Sequence, residues 1–127
     1  MKLSINVREA QGISILDLDG RVIFGDEANA LGDRVEELLG AGKKKILLNM
    51  GRVSYVDSNG LGKLVKCLLS CESKGGQLRL LKVNKNVLEL LIYTALVTKF
   101  GKVYDDEAEA LSSFQAGAGR AAASSAN

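Results

Sequence analysis

The run Lys45-Ile46-Leu47-Leu48-Asn49-Met50 constrains this chain most. It is apolar on both faces of an extended backbone, so a strand there must be covered on both sides. Such a strand sits centrally in a sheet, and helical patterns on either side of it imply crossover connections. Further on, Leu61, Leu64, Val65, Leu68 and Leu69 repeat at helical spacing, predicting a helix over roughly Ser58 to Lys74, ended by Gly75-Gly76. The stretch Asp57-Ser58-Asn59-Gly60 therefore stands where a strand-and-loop segment turns into a helix.

Polar residues at that junction have physical work to do. The first backbone N–H groups of a helix lack partners, and Asp, Ser and Asn side chains accept from them. Gly60 and Gly62 add no side chains, which leaves the backbone open to close approach by another molecule. A hydroxyl at a helix start can also carry a phosphate, whose charge the helix N-terminus receives favourably. Two readings of Ser58 stand side by side: a helix cap, and an acceptor for a phosphoryl group. Asp57 likewise has two: a cap, or a group that positions Ser58 or a kinase's metal ion.

Leu3, Ile5 and Val7 alternate with polar residues and predict a half-buried strand. Ala10-Gln11-Gly12 reads as a hairpin turn into a second strand from Ile13 to Asp19-Gly20. Arg21-Val22-Ile23-Phe24-Gly25 is expected to lie across the sheet end. Asp26 is expected to cap a helix carrying Ala28, Leu31, Val35, Leu38 and Leu39 on one stripe, with Glu27 favourable in its first turn. Gly40 and Gly42 stop it. Gln77 to Val83 predicts another strand, and Asn84 a cap for a third helix with Val87, Leu90 and Leu91. Lys102-Val103-Tyr104 predicts a short edge strand. Asp105-Asp106-Glu107 starts a last helix bearing Ala108, Leu111 and Phe114. The fold class is thus α/β, a single domain over residues 1–115 with a mixed β-sheet and helices mostly on one face. From Ala116 to Asn127 the composition turns to Ala, Gly and Ser, which predicts a disordered tail or a remnant of cloning.

Composition excludes several functions. The chain has 127 residues, 17 basic against 15 acidic, no His and no Pro. That balance gives no reason to invoke nucleic acid. Lys43-Lys44-Lys45 reads as a solvated strand edge rather than a phosphate-binding patch. Cys67 and Cys71, four apart on one predicted helix, are poorly placed for a disulfide, and without His or a third Cys a zinc site has no ligand set. Free thiols point to a reducing cytosol. Nothing resembles a secretory signal, and no run of about 20 apolar residues is present to span a membrane. The expectations are a cytoplasmic protein without cofactor or metal.

The order of elements, and Val56-Asp57-Ser58-Asn59-Gly60-Leu61-Gly62 in particular, resembles the STAS domain of bacterial anti-sigma-factor antagonists. The resemblance covers about residues 3 to 114. It implies that Ser58, directly after the Asp, is phosphorylated by an anti-sigma factor that is also a serine-protein kinase. It implies further that the unphosphorylated form binds this partner and frees a sigma factor, and that a phosphatase resets the system. The partner surface implied is Asp57, Ser58, Asn59, Gly60, Leu61 and Gly62, with Arg21, Val22 and Ile23. Two positions depart from the family pattern. Asn59 stands where Ser, Thr or Ala is common and removes any second hydroxyl. Gly20-Arg21-Val22-Ile23 lacks the Asp usual there, which points to a different partner or a pathway other than sigma-factor control.

Two other classes remain beside this one. A STAS scaffold or signalling-assembly component would need no phosphate event. An enzyme would need a base for Ser58; with no His, only a Ser–Lys pair with Lys63 or Lys66 is conceivable. Gly60-Leu61-Gly62-Lys63-Leu64 does not meet the phosphate-loop pattern. The expectation is a binding module, not an enzyme.

Overall fold

A computed structural model describes residues 3–101 and 103–114. A five-stranded mixed sheet runs in the order β1-β2-β3-β4-β5, comprising β1 (Ser4–Ala10), β2 (Ile13–Val22), β3 (Lys45–Val56), β4 (Gln77–Leu81) and β5 (Val103–Tyr104). β1 pairs antiparallel with β2, and every later pairing is parallel. The hairpin turn is Gln11-Gly12, both at positive φ (56° and 78°), a mirror-image turn whose twist suits the flanking strands. The parallel neighbours are joined by α1 (Asp26–Gly40), α2 (Ser58–Ser73) and the pair α3 (Lys85–Tyr93) and α4 (Val97–Phe100). A last helix, α5, spans 107–114.

The two-faced apolar run of β3 sits as its pattern demands. Ile46 and Leu48 join the main core with Leu31, Val35, Leu64, Leu68 and Leu91 from α1, α2 and α3. Leu47 faces the other way, against Ile13, Ile15 and Leu81, under Ala110, Leu111 and Phe114 of α5. Most helices therefore cover one face, and among the described residues α5 alone closes part of the other. Burial of Leu111 and Phe114 contributes about 1.5–3 kcal/mol each. A guanidinium tethers α5: Arg8 donates to Glu107 (2.9 Å) and to Asp17 (2.6 Å), and Asp17 also accepts from Asn49 (2.7 Å).

Several boundaries differ from the sequence reading. β2 continues through Arg21 and Val22, which pair with Tyr55 and Val56, so this segment extends the sheet instead of crossing its end. β3 likewise runs six residues past Met50 to Val56. Register shifts at Asp17/Asp19 and Gly20/Arg21 let these two strands stay paired despite their polar content. β4 stops at Leu81, because Lys82 adopts positive φ (58°). Asp26 is not the α1 cap; Gly25 holds that position without a side-chain bond, and Asp26 and Glu27 contribute only first-turn charge. In α5 it is Ala110, not Ala108, that points inward, and Asp106 caps through the Glu109 N–H (2.9 Å). Asn84 caps α3 as expected, accepting from Val87 N (2.9 Å) and donating to Val53 O (2.8 Å). Lys102 and the 116–127 stretch lie outside the described residues.

Candidate functional site

The C-terminal ends of β2 and β3 and the start of α2 meet at one point. Val22 pairs with Val56, and Asp57 N donates to Val22 O (3.2 Å). Asp57 then turns extended (φ −90°, ψ 179°) and caps α2: one carboxylate oxygen accepts from Gly60 N (2.7 Å). The other accepts from Phe24 N (2.9 Å), tying the β2–α1 connection to the helix start. The Phe24 N–H, and after it the Gly60 N–H, hold the Asp57 carboxyl below the usual carboxylate range, since both bonds favour the ionised form. The capping role thus falls to Asp57, and Ser58 is the first residue of the helix, exposed to solvent.

Apolar residues hold α2 in place at helical spacing: Leu61, Leu64, Leu68 and Cys71 are all buried. Gly60 is required by a close approach. A Cβ there would lie 1.9 Å from Val22 O and 2.7 Å from Val22 C, so only glycine lets the helix start seat against the end of β2. Gly62 has nothing within 4 Å of a Cβ position and faces solvent. Among the residues singled out from sequence, Ser58, Asn59 and Gly62 are exposed. Asp57, Arg21 and Ile23 are half-buried, and Val22, Gly60 and Leu61 lie in the interior beneath them. All of them belong to this one junction, but the last three support it from within.

Two further surface residues stand in the segments that meet at the junction, Phe24 and Tyr55, and neither is among the site residues assigned from sequence. Both are large apolar side chains left exposed, at 74% and 53%. Among the described residues no group of three His, Cys, Asp or Glu could hold a metal ion, and no helix is long and apolar enough to cross a membrane. Cys67 and Cys71 are unpaired and buried, and burial pushes their thiols up to about 11 and about 12.

The STAS domain pattern matches residues 4–110 of this chain. The chain belongs to the STAS domain family. A Thermotoga neapolitana homologue of the protein TM1081 is 39% identical over 80 residues, covering 63% of this chain and 70% of that protein. The anti-sigma F factor antagonist of Paenibacillus polymyxa is 26% identical over 115 residues, covering 91% and 97%. The crystal structure of TM1081 from Thermotoga maritima superposes with a TM-score of 0.80 at 28% identity, covering 87% of this chain and 94% of that one. The unphosphorylated form of the anti-sigma factor antagonist SpoIIAA shares the fold, with a TM-score of 0.65 at 18% identity over 86% of this chain and 96% of its own. By homology and fold, this STAS domain groups with the anti-sigma factor antagonists.

Proposed function

We propose that this STAS domain is an anti-sigma factor antagonist whose docking is gated by phosphorylation of Ser58. In this reading the unphosphorylated form binds an anti-sigma factor that is also a serine kinase, and a sigma factor is released. Phosphorylation ends the complex, and a phosphatase restores it. The observation that carries the proposal is the division of labour at the start of α2: Asp57 does the capping, and Ser58 stands exposed one residue later. Its hydroxyl is therefore within reach of a visiting active site.

The physics of the gate follows from the same geometry. A phosphate adds a charge of about −1.5 to −2 at neutral pH. The helix N-terminus tolerates that charge, so the fold survives. Asp57, held ionised by the Phe24 and Gly60 N–H groups, stands next to it and adds like-charge repulsion. A docked partner would have to strip water from both groups. A penalty of about 3 kcal/mol weakens binding more than a hundredfold.

The test uses Ser58→Ala and Ser58→Asp as parallel baits in native lysate, followed by titration of the retained protein after purification. The expected result is a histidine-kinase-like ATPase that binds the Ala form and loses about two orders of magnitude on the Asp form. Equal affinity for the two forms would refute the gate.

A further inference from the structure

We propose that the part of the sheet face left open beside α5 binds a small phosphorylated polyol, a phosphate monoester carrying free hydroxyl groups. This site is separate from Ser58 and goes beyond the gate described above. α5 packs on Ile13, Ile15, Leu47 and Leu81. One step further along the same face the strands turn polar: Asn6, Asp17 and Asn49 stand in register across β1, β2 and β3. They floor a cleft of about 560 Å³, within the range that holds small ligands.

A sheet face without a covering helix is ordinarily lined by side chains that reach into water. This one is shaped at its rim. Between the pairs Asp17–Asn49 and Asp19–Arg52, β2 advances two positions and β3 three. That register shift brings the consecutive residues Gly51 and Arg52 both to the cleft. The stem of Lys82 lies across Gly51, where a Cβ would stand 3.3 Å from Lys82 Cδ. Lys82 itself has φ 58°, a conformation that lysine rarely adopts, and its N–H is fixed on Tyr104 O (2.7 Å). Glycine would take that conformation freely; the lysine instead sets an ammonium at the rim.

Charge decides the ligand. Arg8 is engaged by Asp17 (2.6 Å) and Glu107 (2.9 Å). Arg52 has only a long contact with Asp19 (3.6 Å), and Lys82 has no ion-pair partner among the described residues. Two cations with unused donors, flanking Gly51, suit a dianion, and a phosphate monoester carries a charge of about −1.5 to −2 at neutral pH. Ser4, Asn6 and Asp19 also line the cleft and offer oxygens that accept from hydroxyl groups. Among the described residues, the only large apolar side chain in the lining is Leu18, itself buried at 2% exposure. Nothing there would stack a nucleobase or seat an acyl chain, so the lining disfavours nucleotides and lipids.

The experiment titrates isotope-labelled protein with the phosphate monoesters of glycerol, ribose and glucose at their primary hydroxyls, and with inorganic phosphate and ATP for comparison. NMR follows the Gly51 backbone amide and the side-chain amides of Asn6 and Asn49. At least one of the three monoesters is expected to shift these signals with a Kd of about 1 mM or tighter, and to bind about tenfold more tightly than inorganic phosphate or ATP. Lys82→Gly should weaken that binding by about tenfold or more, with the thermal midpoint unchanged or raised because glycine accepts the backbone conformation. Arg52→Ala should weaken it similarly, whereas Arg34→Ala, on α1 across the sheet, should stay within about threefold of wild type. The proposal is overturned by any of four results: no shift of these amides with all three monoesters at about 10 mM, shifts confined to Ser58 and Gly60 at the start of α2, ATP binding as tightly as the monoesters, or Lys82→Gly binding like wild type. The Ser58 gate is read from its own pair of variants, so either idea can fail while the other stands.

Discussion

Gly60→Ala is the sharpest probe of how the site is built. Alanine normally favours a helix over glycine by up to about 1 kcal/mol. At Gly60 the new methyl would meet Val22 O at 1.9 Å and Val22 C at 2.7 Å. Real Cβ contacts do not come closer than about 3 Å, so β2 and α2 must separate by roughly an ångström. Both atoms are backbone, in a strand paired to β3, and no rotamer change relieves the clash. The displacement also stretches the Asp57 bonds to Gly60 and Phe24. Overpacking of this kind costs about 1–3 kcal/mol, and a clash with backbone that cannot rotate away sits in the middle of that range or above, so it outweighs the gain in helix propensity. We expect a net loss of about 1 kcal/mol, seen as a fall of about 4 °C in thermal midpoint and a lower urea midpoint at unchanged slope. Gly62→Ala, two residues on with open space around it, should instead raise stability by up to about 1 kcal/mol. Opposite signs for the two glycines are the expected result; a stabilising Gly60→Ala would refute the packing argument.

Other perturbations have equally definite outcomes. Asn84→Ala removes the α3 cap and the bond to Val53 O, and should cost about 1–2 kcal/mol in urea unfolding. The Asp57 carboxyl titrates below its ordinary range in the folded protein, so its contribution is complete above the unfolded value and is lost as pH falls through the folded one. Asp57→Asn should accordingly flatten the acid side of the stability profile, below about pH 4, while leaving the neutral plateau only lowered. Arg8→Ala leaves Asp17 and Glu107 without their shared cation and should loosen α5, measured as faster amide exchange over 107–114; because the three groups are partly exposed, the global loss should stay near 1 kcal/mol and shrink with salt. Cys67 and Cys71, buried and with raised thiol pKa values, should react with a thiol reagent at pH 8 only after unfolding.

Much of this architecture is written in local pattern. The double-faced run around Leu47, the helical stripe of α1 and the Asn84 cap follow from residue spacing, and the structure places them as that spacing requires; in α2 the stripe holds for Leu61, Leu64 and Leu68, whereas Leu69 turns out to solvent at 46% exposure and Cys67 and Cys71 complete the buried face. The misplaced boundaries share one cause. Beyond Met50 and Gly20 the residues are polar or mixed, and what keeps Arg52–Val56 and Arg21–Val22 extended is pairing with each other across two register shifts. A partner strand cannot be read from either segment alone. The site shows the same limit. Asp57 followed by Ser58 at a helix start is visible in sequence, but which of them caps is decided by geometry. Gly60 looked like an opening for another molecule, yet the molecule that approaches it is the chain's own Val22 carbonyl. Phe24 is legible only as part of an apolar segment at the sheet end; that its side chain is 74% exposed depends on how that segment packs, which spacing does not give.

The account turns on a single phosphate. Wild-type protein separated by charge into its unmodified form and the form carrying one phosphate at Ser58 should be titrated with the same purified kinase partner. The prediction is an affinity at least a hundredfold lower for the phosphorylated form, with identical thermal midpoints for the two. Equal affinities, or a phosphorylated form that has lost its fold, would contradict it.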